Sequence, residues 1–389
     1  MSKLEQLIAE LCPEGVEYVN IGSVVDYEQP SKYIVKSTDY SDNFDIPVLT
    51  AGQSFILGHT NETENLYNAS RENPVIIFDD FTAAFKWVDF PFKVKSSAMK
   101  MLIAKREKAT LRYIFHVMSR IGYFSDEHKR LWISIYSEIS IPLPPLPVQE
   151  EIVRVLDNFT ELTVELTVEL TARKKQYEYY RERLLTFGDD VPMVPLGKIC
   201  KIGDGLHGTP KYDDSGEYYF INGNNLKNGK VFFDSNTKKV DSLTYEKHKI
   251  LFTSENTVFM SVNGTIGNVS LYNNEKIALG KSVAYFNILN SINTEYLFYL
   301  LQTDYSKRYY ESHKTGSTIK NLGLKALREY SIPLPLPEEQ QRIVDVLNRF
   351  DTLCSDISNG LPAEIEARQK QYEYYRDKLL TFPKAEIEV

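Results

Sequence analysis

Cysteine is scarce in this chain, histidine is scattered, and long apolar runs are missing; each shortage removes a class of function. The three cysteines, Cys12, Cys200 and Cys354, are odd in number, far apart and without metal-type spacing. That excludes a disulfide framework and predicts free thiols in a reducing compartment. None of the six histidines pairs with another at zinc-ligand spacing. The opening "MSKLEQLIAELCPEG" alternates charge with leucine and lacks the apolar core and cleavage site of a signal peptide, and no later run approaches membrane length. A cytoplasmic protein with no membrane contact is expected. Net positive charge is lacking too: the balance is −8, which argues against indiscriminate coating of nucleic acid, because that binding rests on phosphate neutralisation by Lys and Arg.

Catalytic signatures fail on inspection. Gly203, Gly205 and Gly208 spell G-x-G-x-x-G after a strand-like "KICKI", but Pro210 and "KYDDSGEYY" follow where a phosphate-binding helix should open. Gly280, Lys281 and Ser282 resemble the end of a phosphate loop, yet Glu275 stands where its first glycine is required. Asp79 and Asp80 in "IIFDDF" read as a strand-end acid pair, with neither a Lys in nuclease arrangement nor a His at ligand spacing nearby. "NPVI" at Asn73 lacks the second proline of an adenine-methyltransferase tetrapeptide. The chain therefore carries no convincing catalytic site.

What is present is a folded composition, 42% hydrophobic and 12% aromatic, over 389 residues, enough for two or three domains. Charge is polarised. Lys86 to Arg130 holds eleven Lys/Arg against four Asp/Glu, and Lys307 to Arg328 six against one. Such clusters suit a localised phosphate-binding face or, equally simply, solvated helix faces.

The strongest signal is internal repetition. "ISIPLPPLPVQEEIVRVLDNF" from Ile139 matches "YSIPLPLPEEQQRIVDVLNRF" from Tyr330 with an offset of 191, and Arg173–Phe187 matches Arg368–Phe382 with an offset of 195. Lys129, Leu131, Glu138 and Ser140 likewise fall 191 residues before Lys320, Leu322, Glu329 and Ser331, and "VEYVNIGSVV" faintly echoes "VPMVPLGKIC". The chain reads as a tandem duplication of a globular half followed by a helix.

Ile152, Leu156, Phe159, Thr163, Leu166, Leu170, Arg173, Tyr177, Tyr180 and Leu184 recur in alternating steps of four and three, the seam of a coiled coil. With prolines at 142, 144, 145 and 147 ending the preceding strand, a continuous helix from about Val148 to Phe187 is predicted, about 60 Å long at 1.5 Å per residue. In the second copy Ile343, Leu347, Phe350, Cys354 and Ile357 keep the seam until "SNGLPAE", and Ile365, Tyr372, Tyr375 and Leu379 resume it, which predicts a helix broken near Gly360–Pro362. The tyrosines either fill the seam or, at Tyr179 and Tyr374, face elsewhere. "NPVIIFDDF", "TVFMSVNG" and "KSVAYFNIL" read as strands, and "LRYIFHVMSRIGYF" and "TEYLFYLLQTDYSKRYYE" as helices, giving an α+β chain.

A variable half followed by a helix, twice, with "IPLPLPEEQQRIVDVLNRF", "KQYEYYR" and the tandem tetrapeptide "LTVELTVELTAR", resembles the specificity subunit of type I restriction–modification systems over essentially the whole length. It is most similar to the subclass with TAEL-like repeats in the central helix. "VLTAGQSFILGHTNET", "VIIFDDFT" and "KWVDFPFKVKSSAMKM" in the first half, and "DGLHGTPKY", "FINGNNL", "NGTIGNV" and "GSTIKNL" in the second, resemble segments of target recognition domains. The resemblance implies two α/β recognition domains (1–144 and 188–335) separated by two long antiparallel conserved helices. These are a central one with TVEL repeats (145–187) and a C-terminal one (336–389), forming a coiled coil with pseudo-two-fold symmetry. It further implies a non-catalytic reader of a bipartite double-stranded DNA target. Two methyltransferase subunits using S-adenosylmethionine would dock on it, and restriction subunits using ATP and Mg2+ would join the complex; this chain itself would hold no cofactor or metal. The alternatives are an enzyme with its own methyltransferase or nuclease chemistry, and a coiled-coil scaffold for another protein. Tyr179 and Tyr374 are then candidate methyltransferase contacts.

Reading DNA needs donors and acceptors that reach base edges, and cations for phosphates. In the first domain the candidates are Lys32, Tyr33, Gln53, Lys86, Trp87, Lys95, Ser96, Lys100, Lys129 and Arg130, with Trp87 equally suited to the core. In the second they are His207, Thr209, Lys211, Asn224, Asn225, Asn263, Lys281, Ser282, Lys314, Ser317, Thr318 and Lys320. Each TVEL unit adds roughly 6 Å and about 400° of helix, so the apolar seam stays nearly in phase. DNA advances about 3.4 Å per base pair. Deleting one unit is therefore expected to shorten the gap between half-sites while leaving both half-sites unchanged. Genome-wide mapping of methylated adenines checks this, and altered half-sites with an unaltered gap reject it.

Overall fold

The structure, a computed structural model, describes residues 2–50, 54–123, 130–289, 292–355 and 360–385. It divides into two compact units, residues 1–165 with 365–389, and 166–364.

In the first unit a four-stranded antiparallel sheet runs in the order Val25–Glu28, Met99–Ala104, Val75–Asp79, Phe85–Val88. A three-stranded sheet sets Ile46–Leu49 between Ile56–Thr60 and, in parallel, Lys93–Val94. The second unit has the same order, strand for strand. Cys200–Asp204, Val283–Ile288, Thr257–Ser261 and Val269–Leu271 form the larger sheet; Lys239–Val240, Tyr218–Ile221 and the parallel Ile277–Leu279 form the smaller. The duplication read from the helices thus extends to the sheets.

The strand Val75–Asp79 is buried at every position because it has a core on each side. Ile76 and Phe78 face a cluster with the helix Leu111–Ile121, while Val75 and Ile77 face Tyr33, Leu49 and Phe92. Thr257–Ser261 repeats this, with Val258 and Met260 on one side and Phe259 on the other. A two-sided core explains the unbroken apolar runs in sequence. Gly205 sits where an added Cβ would lie 2.1 Å from the Leu279 carbonyl oxygen, Gly203 lies against the Tyr285 ring, and Gly208 takes a positive φ of +150°, so each glycine of the G-x-G-x-x-G run has a local reason to be glycine. Asp79 accepts from the amides of Phe81 and Thr82 and stabilises the turn after its strand.

Antiparallel pairing of Glu17–Asn20 with Ser140–Leu143 brings the ends of the first domain together, as Met193–Pro195 with Ser331–Pro333 does in the second. Pro144 and Pro145 then end the strand, whereas Pro142 lies within it and Pro147 in the first turn of the central helix, which runs unbroken from Leu146 to Leu184. The second copy is two helices, Pro337–Ser355 and Leu361–Leu379, with Pro362 in the first turn of the latter, where a missing N–H costs nothing. "TEYLFYLLQTDYSKRYYE" also divides, into Thr294–Leu300 and Asp304–His313. Thr303 caps the later helix by accepting from Ser306 N–H, which its apolar spacing did not announce.

Along the central helix Ile152 and Leu156 are buried, and Phe159, Leu166, Leu170, Tyr177, Tyr180 and Leu184 are half-buried. In the TVEL units the leucines turn inward and the valines outward: Val164 and Val168 are 61% and 64% exposed. Ile343, Leu347, Cys354 and Tyr372 are buried, and Phe350 and Leu379 half-buried. Ile357 lies outside the described residues. Phe159 stacks on Tyr375 at 5.2 Å in the first unit, and Phe350 on Tyr180 at 5.5 Å in the second.

The joint between domain and helix is also built twice. Thr110 caps the helix Leu111–Ile121, the Tyr113 hydroxyl donates to the Pro142 carbonyl, and the buried Gln149 accepts from Thr110 N–H and donates to the Pro144 carbonyl. Asn293, Tyr296, Pro333, Gln340 and Pro335 repeat these bonds in the second unit. One pair differs. His116 bonds Asp157 at 2.8 Å and the Tyr372 hydroxyl at 3.0 Å, whereas the Tyr299 hydroxyl donates to Asn348 at 2.6 Å.

Burial holds the His116 imidazole below its ordinary value, and the Asp157 carboxylate only partly offsets this. Burial pushes the Asp157 carboxyl up, but the bonds from His116 and Arg112 outweigh it and the net direction is down. Below about pH 6.5, the ordinary histidine value, the unfolded chain binds more protons than the folded unit, so stability falls as pH falls; Asp157 adds to the loss below about pH 4. The Tyr299–Asn348 pair has no titration in that window. Amide exchange at pH 7.5, 6.5 and 5.5 is expected to show the first unit losing protection before the second. His116→Gln should abolish the difference, and equal loss in both wild-type units would reject this account.

Candidate nucleic-acid interface

Strand ends gather five loops of the second unit into one edge. Leu206 N–H donates to the Leu279 carbonyl and Lys281 N–H to that of Leu206, joining "DGLHG" to "GKS". Gly280 N–H donates to the Ile221 carbonyl and Val262 N–H to that of Ser282, which adds "NGNN" and "VNGTIG". The hairpin of Lys314–Thr315 with Asn321–Leu322 closes the set: Leu322 N–H donates to the Val262 carbonyl and Gly264 N–H to that of Lys320. Gly264 and Gly316 take positive φ, +74° and +91°, at the turns.

Within this edge some polar side chains hold the loops and others face out. The Ser282 hydroxyl accepts from Gly223 N–H and donates to Asn222, and Asn225 accepts from Asn222 N–H while donating to Phe232 and Thr237. Asn263 reaches Asn321 at 3.5 Å, Lys320 donates to the Gly316 carbonyl, and half-buried Lys314 pairs with Glu311. His207, Thr209, Lys211, Asn224, Lys281, Ser317 and Thr318 are exposed; His207 bonds Asp204 at 2.8 Å. Beside Asn224 a polar cleft is lined by Tyr212, Lys227, Asn236 and Lys238. Sequence reasoning missed these four; the turn-dense "NGNNLKNG" with the lysines after it was the available signal.

The first unit repeats the backbone plan. Val35 N–H donates to the Val94 carbonyl, Lys95 N–H to Leu49, Asp80 N–H to Ala98, and Leu131 N–H to Asp80. Lys36, exposed, therefore stands where His207 stands in the second unit, another residue missed from sequence. Glu62 grips this loop, accepting from Lys36 and Ser37 N–H at 2.9 Å each and from Lys93 at 2.7 Å. Burial raises its carboxyl, but these donors outweigh it and hold it below the usual range.

Of the first-unit candidates, Lys86, Ser96 and Arg130 are exposed. Exposed Lys32 pairs with Glu28 at 2.7 Å and lies over the ring of Tyr33, which is itself buried with its hydroxyl on Glu28. Lys95 is half-buried beside Tyr40. Trp87 is half-buried against Phe115, with the Arg112 guanidinium 4.8 Å from its ring, which favours the core reading. Lys100 departs most from expectation. It is 1% exposed and its ammonium faces Asp80, so it serves the domain interior and reaches no groove. Gln53 and Lys129 lie outside the described residues.

The basic clusters are less free than their charge suggests. Lys93 and Lys100 face buried or half-buried carboxylates, Arg112 binds Asp157, and Arg120 donates to Leu380 and Thr381. Lys307, Lys314 and Lys325 pair with Asp304, Glu311 and Glu329. Among the described residues no group of three or more His, Cys, Asp or Glu is placed to hold a metal, and no helix is long and apolar enough to cross a membrane. The edge offers hydrogen-bond donors, acceptors and a few free cations, the chemistry of recognition.

The comparisons agree with that chemistry. A family model described as the type I restriction modification DNA specificity domain matches residues 13–173 and 188–367. The specificity subunit of the type I restriction enzyme EcoR124I/EcoR124II of Escherichia coli is 42% identical over 99% of this chain and 98% of its own length. A putative type I specificity subunit of Haemophilus influenzae is 29% identical over 85% and 86%. The solved S subunit of M. genitalium superposes with a TM-score of 0.59 at 14% identity over 94% of this chain and 96% of that one, a likeness of fold. With both globular halves and the helices that follow them matched, the chain belongs to the type I restriction–modification DNA specificity subunits.

Proposed function

We propose that this specificity subunit reads a bipartite DNA target without chemistry of its own. Each unit's loop edge would contact one half-site, and the helices, running antiparallel with pseudo-two-fold symmetry, would set the spacer. The observation that carries the reading is the strand-for-strand repetition of a polar loop edge, each edge followed by a helix anchored through the same glutamine and tyrosine bonds. Two like halves suit two half-sites read from opposite ends. The recognition domains are taken as 1–144 and 188–335, and the TVEL units support assignment to the TAEL-like subclass.

Two methyltransferase subunits, bringing S-adenosylmethionine, would bind the assembly in the cytoplasm, and restriction subunits would bring ATP and Mg2+. Tyr179 and Tyr374, 58% and 62% exposed at matching positions of the duplicated block, suit such docking. The target adenine lies inside a duplex, so the methyltransferase must flip it out of the stack. An enzyme reading finds no support in the carboxylates, since Asp79 and Asp80 are bound into a turn and an ion pair.

The test is methylome sequencing of a host expressing the chain with its methyltransferase. A split adenine-methylated motif with a fixed gap is expected; methylation by the purified chain alone, or a single undivided motif, refutes the proposal. Asn224→Ala should relax one half-site and change stability by less than about 0.5 kcal/mol. Ser282→Ala removes two loop bonds and should cost about 1–2 kcal/mol in chemical denaturation; the reverse ranking counts against the division of roles. Lys281→Ala should weaken binding across sequences and lower the salt slope by about 1. An unchanged slope in salt titrations removes Lys281 from the phosphate contacts.

A further inference from the structure

We infer that the buried Asp80–Lys100 ion pair positions the reading edge of the first unit, acting through the backbone at Leu131 and Trp132; this rests on the DNA-reading function proposed above. Asp80 directly follows the strand Val75–Asp79 of the larger sheet and is 2% exposed. One carboxylate oxygen accepts from Trp132 N–H at 2.8 Å and the other faces Lys100 Nζ at 3.4 Å. Its carbonyl accepts from Leu131 N–H at 2.8 Å, and its own N–H donates to Ala98 at 2.9 Å. One residue thereby ties a strand end to two loops of the edge. Exposed Arg130 is the next residue before the pair of amides it holds.

The surroundings fix the pair from all sides. Lys100 Nζ lies 4.4 Å from the centre of the Tyr27 ring, and Trp132 is packed by Tyr27, Phe78 and Tyr136 at 6.4, 5.2 and 6.0 Å. With Trp132 held on its side chain and its amide, and Leu131 by its amide, the backbone next to Arg130 is fixed to the strand end.

The second unit supplies the control. Strand registers put Val262 in the place of Asp80 and Ala284 in that of Lys100. Val262 still accepts from Leu322 N–H at 2.8 Å, but with no carboxylate to add, the loop is held by backbone pairing of Asn263 with Asn321 and of Gly264 with Lys320. The same joint is therefore compatible with apolar side chains. Burying an ion pair gives stability no better than apolar residues of similar volume. The charged pair is thus explained by what its geometry does, a directed bond to Trp132 N–H that a valine cannot make.

The test replaces both charges at once, Asp80→Leu with Lys100→Met, so that no unpaired charge is left inside. Methylomes of hosts expressing wild-type or variant chain with the methyltransferase are compared. The variant leaves the Trp132 N–H without its acceptor, so it is expected to melt below the wild type and to relax base preference at one half-site, on the order of tenfold, one base contact's share of discrimination. The half-site relaxed by Asn224→Ala, which marks the second unit, should be untouched. Wild-type methylation without sequence preference would sink the proposed function itself. Selective wild type with an unchanged variant, or equal relaxation at both half-sites, overturns the inference. Where the double variant fails to accumulate, Lys100→Gln, which keeps a donor beside Asp80, gives the reading: a smaller one-sided relaxation supports the positioning role, and none overturns it.

Discussion

A primary amide buried at the start of each long helix must find partners for both its oxygen and its nitrogen, because an unsatisfied buried group costs about 1–3 kcal/mol. Gln149 and Gln340 meet this by accepting from the backbone N–H at the cap of one helix and donating to a proline-rich turn. The bonds fix the helix against its domain in register and direction. Everything outward follows: the tyrosine that reaches the carbonyl before the prolines, the strand that closes the domain, and the seam that meets its opposite number. A coiled-coil seam alone would tolerate sliding by a heptad; a satisfied polar joint does not.

From that joint the sheets lead to the reading edge. Each domain places a fully buried strand between two cores, so its end is rigid, and the loops leaving that end inherit the rigidity. Polar residues such as Ser282, Asn222, Asn225 and Glu62 then tie loop to loop. The side chains left outside, among them Asn224 and Lys281, are exposed donors, acceptors and cations rather than a broad basic surface. A chain with a balance of −8 gains local attraction for DNA only where such cations remain free.

Much of this was legible in the residues. The unbroken helix Leu146–Leu184 follows the periodicity of its residues, and the offset linking Leu131 to Leu322 matches two amides that bond to corresponding strand ends. The site was less so. Lys100 has the same letter whether it meets a phosphate or Asp80, and only the sheet register reveals which. Lys36 was hidden for the opposite reason: it joins the edge through backbone pairing of Val35 with Val94, far apart in sequence. Short spacing rules report helices well and long-range sheet contacts poorly.

The unlike pairs at the two joints, His116 with Asp157 and Tyr299 with Asn348, have a consequence for shuffling. Each pair has one member in a domain and the other in the helix after it, so a crossover in the proline junction separates them. A transplanted His116 would face an amide and a transplanted Tyr299 a carboxylate, and each can still form one bond. Arg112 pairs with Asp157 whereas Glu295 accepts from Asn348, so a transplanted second domain would set two carboxylates against each other, and a domain can be exchanged across the proline junction only with a change at this joint.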